Sequence, residues 1–411
     1  MSEGVLRAVT EEVVQAALIS DKGDGAVVVS WDTESFTAKF DGATSNIANI
    51  RIQYSLAGEE GEVSYVAKVT PDRGQTTDFY SIIYAKECYF YAEIIPALNA
   101  ILQGIGGKPL SFPKCVYYSL EPGKEMVVLE NLREQGYSMQ DRAQGIDASH
   151  SLLVLKELAR LHAASLLLQA ATPQQDLLHK FQSLQKEWTK EFNLGGNFGT
   201  FIENYLNIAI DMFEKMGGCE TVVKWIKKIK PQAWKMFDEH LVKTPPFAAI
   251  THGDCWINNL LFRYDEDNRP VEVKMLDLQG CRMASVATDL QHFLNMNLTG
   301  PVRRPNLRTF LATYHATLTS VMQAGSVAVP FTLEQLRQEY VDRGFYGTLY
   351  CLMWLPNMVR RPQDMMDILD SKEDGKRTER ENVLVMVDRN PLLKPRVLSV
   401  VEEWTEKGVI S

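Results

Sequence analysis

The chain has 411 residues, of which 45% are hydrophobic and 23% charged, and its formal net charge is −9. These are the proportions of a globular protein, so they exclude extensive disorder. The acidic balance argues against nucleic acid and anionic membranes as main partners, because both are themselves negatively charged. A chain of this length exceeds one ordinary hydrophobic core. We therefore expect two domains, or two lobes, with a ligand cleft between them.

The cysteines and the N-terminus indicate a cytoplasmic protein. Six cysteines are scattered along the chain, with no CxxC pair and no Cys/His cluster at metal-ligand spacing. This usage is typical of free thiols in a reducing compartment. The first residues lack the basic and apolar segments of a secretory signal peptide. No run approaches about 18 uninterrupted apolar residues, so no membrane span is predicted. The sequence indicates no particular oligomeric state.

The first third of the sequence has the patterns of a small β-rich lobe. Four segments predict β-strands, namely 49–54, 63–69, 114–118 and 126–129. The first two alternate apolar and polar side chains around a Gly/Glu turn, which predicts a β-hairpin. Two further segments predict helices, namely 5–17 and 78–102. Pro96 is expected to bend or end the second helix.

The rest of the sequence is mainly helical by the same criteria. Predicted helices occupy residues 148–169, 185–192, 200–216 and 222–241, and more helix is expected from Ser285 onward. A predicted hairpin with strands 260–262 and 271–276 interrupts them. The sequence therefore predicts an α+β fold of two lobes that join near Leu132. The expected domains are a β-rich nucleotide-binding lobe, 1–132, and a helical catalytic and substrate-binding lobe, 133–411.

One loop carries polar residues in a functional pattern. His252-Gly253-Asp254 follows an apolar run, and Asn259 comes five positions after Asp254. The predicted hairpin comes next and ends at Asp277. Because a hairpin brings its two ends together, we expect Asp254, Asn259 and Asp277 to lie close in space.

Two carboxylates and an amide at one point suit phosphoryl transfer. One carboxylate orients the attacking hydroxyl and accepts its proton. The other carboxylate and the amide oxygen hold Mg²⁺ on the nucleotide phosphates. The pattern Asp, Asn five positions later, hairpin and second Asp is typical of enzymes with a bilobal protein-kinase-like fold.

Such an enzyme also needs nucleotide contacts from its first lobe. Lys68 ends the strand-like sequence Val66-Ala67-Lys68, which is close to the lysine motif of kinases. Glu87, in the middle of the predicted helix 78–102, is its expected partner. Glu130 and Leu132 lie at the predicted lobe junction, where adenine takes backbone hydrogen bonds. Taken singly, each of these residues is also typical of an ordinary surface or turn position.

At this point the sequence resembles the ecdysteroid kinase-like proteins of the choline kinase and aminoglycoside phosphotransferase superfamily. The similarity extends from about residue 40 to 350. The segments that carry it are His252 to Phe262, Glu87 to Tyr91 with Ile95-Pro96, Val128 to Leu132, Leu158 to Ser165, and Leu276 to Gln279.

The resemblance implies roles for single residues. Asp254 is expected to be the catalytic base, with His252 orienting its loop and Asp289 bracing it. Asn259 and Asp277 are expected to bind Mg²⁺, and Lys68, paired with Glu87, to contact the phosphates of ATP. The family's phosphate-covering loop is matched only loosely here by residues 40–46. Gly42 and Ser45 are the expected phosphate contacts in that loop.

The acceptor is less well defined by the sequence. The resemblance favours an ecdysteroid or another lipophilic alcohol, with Trp256 in the catalytic loop as the candidate that shapes the pocket. A choline- or ethanolamine-type kinase is the alternative enzyme, because the aromatic residues of the helical lobe also suit a quaternary amine. A catalytically silent kinase-like binding protein is the alternative of another class, and the loose glycine loop is its support.

Overall fold

A five-stranded antiparallel sheet forms the N-terminal part of the molecule. Its strands in chain order are β1 (Ala26–Ser35), β2 (Asn46–Leu56), β3 (Glu59–Val69), β4 (Cys115–Ser119) and β5 (Met126–Glu130). They lie side by side in the order β1-β2-β3-β5-β4. The computed structural model describes residues 8–35, 46–69, 77–121, 124–192, 197–242, 244–373 and 377–411.

The β2–β3 hairpin follows from the alternation in its sequence. Ile50 and Ile52 are fully buried, whereas Arg51 beside them is exposed. The predicted hairpin is confirmed, and both strands extend further than predicted. Lys68 lies near the end of β3, opposite Ile47 of β2 and Val127 of β5. The lysine is therefore held in the middle of the sheet, with its backbone fixed on both sides.

Three helical segments accompany the sheet. Helix α1 spans Glu11–Lys22 instead of the predicted 5–17, because Thr10 caps its N-terminus and Gly23, with φ of +101°, ends it. The predicted helix 78–102 is divided into α2 (Thr77–Tyr89), a π turn (Phe90–Ile94) and α3 (Ile95–Gly104). Pro96 lies in the first turn of α3, where a missing N–H costs no helical hydrogen bond. The proline therefore begins a helix.

The C-terminal part is mostly helical. Its helices are α4 (Ala148–Ala171), α5 (Leu177–Lys180), α6 (Trp188–Glu191), α7 (Phe198–Met216), α8 (Glu220–Ile229), α9 (Ala233–His240), α10 (Val286–Asn297), α11 (Gly300–Ala324), α12 (Leu333–Asp342), α13 (Gly344–Met358), α14 (Pro362–Glu373), α15 (Glu379–Arg389) and α16 (Leu393–Glu406). Two predicted helices are shorter than expected. The predicted helix 222–241 breaks into α8 and α9 around Pro231, and 185–192 is reduced to α6.

Short strands interrupt these helices where the polar loop was predicted. They are β6 (Ser138–Met139), β7 (Ala248–Thr251), β8 (Leu260–Tyr264), β9 (Pro270–Met275) and β10 (Arg282–Ser285). Strand β8 pairs with β9 and β6, so the predicted hairpin is confirmed. Strand β7 pairs with β10. The loop after β7 therefore lies next to the segment that follows the hairpin.

Two hydrophobic cores support this arrangement. The smaller core lies between the sheet and α1 and contains Leu18 and Ile50. The larger one contains residues from Cys88 of α2 to Ile410, beyond α16. The predicted α+β class is confirmed. The boundary at residue 132 stays a prediction, since Leu98 and Val127 precede it and yet belong to the larger core. Within the described residues, no helix combines the length and the apolar character needed to cross a membrane.

Candidate active site

The loop after β7 turns sharply at a glycine. His252 is completely buried, and Gly253 follows it with φ of +75°. A Cβ atom at Gly253 would lie 2.0 Å from the carbonyl oxygen of Gly280. The chain can therefore pass Gly280 only because residue 253 has no side chain. This close approach fixes where the next residue, Asp254, leaves the protein core.

We expect Gly253→Ala to lower the free energy of unfolding by about 3–5 kcal/mol, since the methyl group meets backbone and φ is unfavourable. Gly106→Ala is the matched control, because Gly106 has φ of +73° but no heavy atom within 4 Å of the added Cβ. It should cost only about 1–2 kcal/mol. Chemical denaturation measures both losses. Equal losses would show that the contact with Gly280 is unimportant.

Asp289, in the first turn of α10, accepts hydrogen bonds from the backbone of the same loop. Its Oδ2 accepts a hydrogen bond from the backbone N–H of His252 at 2.7 Å, and its Oδ1 accepts one from Gly253 at 2.9 Å. His162 Nε2 lies 3.1 Å from Oδ2, and its Nδ1 lies 2.7 Å from the Tyr314 hydroxyl. Burial alone would raise the pKa of Asp289, but the hydrogen bonds and the nearby histidines lower it to about 2.

We expect Asp289→Asn to cost about 3 kcal/mol of unfolding free energy near neutral pH, because the new amide NH₂ faces other donors. The folded pKa of Asp289 is depressed to about 2, below the unfolded value of about 3.9. Its stabilisation is therefore complete above the unfolded pKa and is lost as pH falls toward the folded one. The difference in unfolding free energy between wild type and variant should narrow as pH falls from about 5 to about 2. If the difference in unfolding free energy between wild type and Asp289→Asn does not change with pH, the Asp289 carboxylate does not stabilise the loop as described.

Asp254 and Asn259 are joined within the loop. The Nδ2 of Asn259 donates to the backbone oxygen of Asp254 at 2.9 Å and to its carboxylate Oδ2 at 3.0 Å. The Asp254 side chain remains 24% exposed, so a ligand can reach it. Burial and the neighbouring carboxylate of Asp277 raise the pKa of Asp254 to about 7. Two carboxylates thus face each other across a small space.

Asp277 lies at the end of the hairpin and connects the two parts of the molecule. Its Oδ1 accepts a hydrogen bond from Lys68 Nζ at 3.0 Å, and its Oδ2 accepts one from Gln279 at 3.1 Å. Lys68 Nζ also lies 2.6 Å from Glu87 Oε2 on α2. Asp277 has φ of +61°, a strained conformation for a residue with a side chain. Such strain is common at functional sites.

Lys68 is charged despite its burial. Only 9% of its side chain is exposed. Burial by itself would lower the pKa of Lys68, but the carboxylates of Asp277 and Glu87 raise it above the ordinary value. A fixed positive charge of this kind, beside Asp277, suits the phosphates of a nucleotide.

The donor set fits Mg²⁺. A carboxylate from Asp277 and an amide oxygen from Asn259 are hard ligands, and Mg²⁺ usually takes few protein ligands because it keeps water and phosphate oxygens. The described residues contain no group of three or more His, Cys, Asp or Glu side chains arranged around a metal. A cation here would oppose the repulsion that raises the pKa of Asp254.

Three of the remaining predicted residues, Trp256, Leu132 and Glu130, lie within the described part of the chain. Trp256 is half-buried against the larger core, and its backbone N–H donates to Asp254 O at 3.0 Å. Leu132 is buried, and its carbonyl oxygen already accepts backbone hydrogen bonds within a turn. The backbone N–H of Glu130 donates to Lys114. Gly42 and Ser45 lie outside the described residues. The roles of these residues stay predictions.

One neighbour of Asp254 was not predicted from the sequence. His292 Nε2 lies 4.0 Å from Asp254 Oδ1, and its ring is 4.3 Å from that of Tyr350 on α13. Burial lowers the pKa of His292 to about 3, so the ring is neutral. The available signal was the spacing, since His292 follows Asp289 by three positions and shares its face of α10.

Comparison with known families identifies the family of this chain. The model of the ecdysteroid kinase-like family matches residues 39–325, more than half of the chain. The chain belongs to the ecdysteroid kinase-like family. The predicted resemblance is thereby confirmed, and the predicted class of enzyme, a small-molecule kinase, is the class to which this family assigns the protein. The matched range includes Lys68, Glu87 and the loop from His252 to Asn259.

Solved structures similar to this ecdysteroid kinase-like protein share little sequence with it. A choline kinase from Streptococcus pneumoniae is 13% identical, with a TM-score of 0.41, and the match covers 96% of this chain and 99% of that one. A choline kinase from Cryptosporidium parvum is 11% identical, with a TM-score of 0.43 and coverage of 92% and 91%. An ethanolamine kinase from Plasmodium vivax is 12% identical, with a TM-score of 0.40 and coverage of 90% and 85%. A search among curated proteins finds no match.

Proposed function

We propose that this protein transfers the γ-phosphoryl group of ATP to a hydroxyl of a small lipophilic alcohol, with an ecdysteroid as the first candidate. The observation that carries this proposal is the contact network of Glu87, Lys68, Asp277, Asn259 and Asp254. It places a buried cation beside one carboxylate and leaves a second carboxylate partly open. Phosphoryl transfer needs this combination for charge neutralisation and for positioning the attacking oxygen.

Each residue has a proposed task. Asp254 orients the acceptor hydroxyl and takes its proton as the new P–O bond forms and the bond to the leaving ADP oxygen breaks. Lys68, aligned by Glu87, contacts the phosphates. Asn259 and Asp277 would hold Mg²⁺, which supplies further positive charge to the phosphates when it is bound. His252 positions the loop, and it does not take the proton, since it is completely buried.

The nucleotide is proposed to bind between the lobe 1–132 and the lobe 133–411. Glu130 and Leu132 lie on the segment that joins them and are the proposed neighbours of the adenine ring. Gly42 and Ser45 are the proposed phosphate contacts from the first lobe. Trp256 is proposed to border the acceptor.

The test is phosphorylation of a defined alcohol by the purified protein. With Mg-ATP and ecdysone we expect release of ADP and a product heavier by one phosphoryl group in mass spectrometry. Chelation of Mg²⁺ should abolish both signals. Choline serves as the second acceptor, and faster turnover of choline would contradict the lipophilic assignment while leaving the kinase activity intact.

A binding measurement separates the kinase from a catalytically silent protein. Mg-ATP at about 100 times its dissociation constant should stabilise the fold by about 2.7 kcal/mol, which is measurable as a rise in Tm. If Mg-ATP causes no rise in Tm and no acceptor yields ADP, the proposal is wrong. A rise in Tm without phosphorylation of any alcohol would favour the silent binding protein.

A further inference from the structure

Arg282 is a buried arginine whose hydrogen-bonding capacity is largely unused. It opens β10 opposite Thr251, the residue that leads into the Asp254 loop, and it is only 2% exposed. Its Nε and Nη2 atoms are buried and have no hydrogen-bond partner among the described residues. Buried N–H groups are nearly always paired, so an oxygen from a ligand or from solvent must complete this guanidinium.

Glu187 only partly compensates Arg282. Its Oε2 lies 3.5 Å from Arg282 Nε, close enough for ionic attraction but without a hydrogen bond, and this oxygen also lacks a hydrogen-bond partner within the described residues. Lys86, also buried, donates to the backbone oxygen of Lys186 at 2.8 Å and lies in the same charged group. Asp289 also lies within electrostatic reach of Arg282, and the charge of Arg282 in turn acts on Asp254. The guanidinium therefore has carboxylates nearby, but its Nε and Nη2 atoms make no hydrogen bond to any described residue.

The guanidinium lies within electrostatic reach of Asp254 and of the aromatic side chains near it. Aromatic rings continue from His292, beside Asp254, to Tyr350 and from there to Tyr346 at 5.8 Å and Trp354 at 6.3 Å. Burial raises the pKa of both tyrosines, and the charge of Arg282 opposes this in each, so all three side chains lie within electrostatic reach. The backbone before β10 also touches the loop, because a Cβ at Gly280 would lie 3.2 Å from Asp254 Cβ.

The guanidinium of Arg282 and the nearby aromatic rings together discriminate between acceptors. A buried guanidinium offers strong hydrogen bonds to a carbonyl or hydroxyl oxygen. A quaternary ammonium offers no acceptor atom to these N–H groups, so a choline-type alcohol leaves them unpaired. The aromatic rings suit the apolar body of a large neutral molecule.

We infer that Arg282 is a specificity-determining residue that binds a neutral oxygen of the acceptor, a carbonyl or a second hydroxyl remote from the one phosphorylated, and that it thereby favours such alcohols over quaternary amines. The inference rests on the proposed kinase function and narrows its acceptor class. The reacting hydroxyl is positioned by Asp254, whereas Arg282 fixes the other end of the molecule. The proposed acceptor is thus an alcohol that carries at least one further oxygen away from the reacting hydroxyl.

Two variants of the full chain test this role. Arg282→Lys keeps the charge beside Glu187 but loses the planar set of donors. Arg282→Gln combined with Glu187→Gln removes both charges and leaves no carboxylate unpaired. In each we expect the KM for ecdysone to rise about tenfold or more, as for a lost hydrogen bond from a charged donor. The ratio of kcat/KM for ecdysone to that for choline should fall at the same time, a change that a merely structural role would not produce.

Arg303 and Glu403 provide the matched control. They form another buried pair, 2.8 Å apart, and Arg303 has further backbone partners. Arg303→Gln with Glu403→Gln should lower Tm but leave the KM for ecdysone unchanged. An unchanged KM for ecdysone in both Arg282 variants would overturn the inference. So would an equal loss of kcat with both acceptors at constant KM, because Arg282 would then act on the phosphoryl group.

The wild-type protein separates this inference from the proposed function. Higher kcat/KM for choline than for ecdysone would overturn the role of Arg282 and leave the kinase activity standing. Phosphorylation of neither acceptor, together with no change in Tm on addition of Mg-ATP, would overturn both.

Discussion

Asp254→Asn is expected to reduce kcat with the alcohol acceptor by about 10²- to 10⁴-fold, the range typical of a lost general base. The asparagine keeps the size of the side chain and can still accept a hydrogen bond from Asn259, so the loop should stay in place. What is lost is the negative charge that orients the hydroxyl and takes its proton. The KM for ATP should change by less than about threefold, since Lys68 and Glu87 remain. Steady-state kinetics with saturating acceptor measures the change.

The control for charge removal is Asp267→Asn. Asp267 lies in the turn between β8 and β9, and 67% of its side chain is exposed. Its variant should have wild-type kcat, because the charge is far outside the loop and screened by solvent. Wild-type turnover by Asp254→Asn would remove Asp254 from the proposed mechanism. Loss of the folded state, seen in a thermal melt, would assign the defect to stability instead.

Lys68→Met is expected to lower kcat/KM for ATP by about 10²- to 10³-fold, comparable to the removal of one charged group that stabilises a transition state. Methionine fills the space of the lysine stem but leaves the buried Glu87 and the partly exposed Asp277 without their cation. We therefore also expect a loss of about 3–5 kcal/mol in the free energy of unfolding. ATP titration at fixed acceptor, with denaturation in parallel, measures the two effects separately.

A double variant distinguishes stability from function. Lys68→Met combined with Glu87→Gln removes one of the unpaired carboxylates, so it should recover part of the lost stability without recovering activity. Lys114→Met is the surface control, because Lys114 pairs with Asp21 and half of its side chain is exposed. It should cost less than about 1 kcal/mol and leave kinetics unchanged. Recovery of activity in the double variant would contradict a direct role for Lys68.

The elements that could be predicted from the sequence are those with local periodicity. Alternation in 49–54 was sufficient for the β2–β3 hairpin, and the polar turn before Pro270 for β8–β9. Because that hairpin fixes the distance between its ends, the approach of Asp254, Asn259 and Asp277 could also be predicted. The Lys68–Glu87 contact followed from the order of strand and helix. In each case a short stretch of chain contains the whole signal.

The features that could not be predicted from the sequence depend on contacts between distant parts of the chain. The β7–β10 pairing joins two four-residue strands that carry no alternation of their own. The π turn at Phe90–Ile94 arises where α2 turns into α3. Whether the guanidinium of Arg282 finds hydrogen-bond partners depends on where Glu187, Tyr346 and Tyr350 lie in the fold. A sequence shows the residue type at such a position but not whether its donors are satisfied.

Helix α13 has a consequence for how members of the family can differ. The residues proposed to act on the nucleotide all lie within the matched range 39–325, whereas Tyr346, Tyr350 and Trp354 lie beyond it. This later segment is nevertheless fixed in the larger core, where Gly344 of α13 lies against the ring of Trp404. Exchange of α13 and its packing partner α16 between relatives is therefore a route to chimeras that accept a different alcohol and keep the same phosphoryl-transfer machinery.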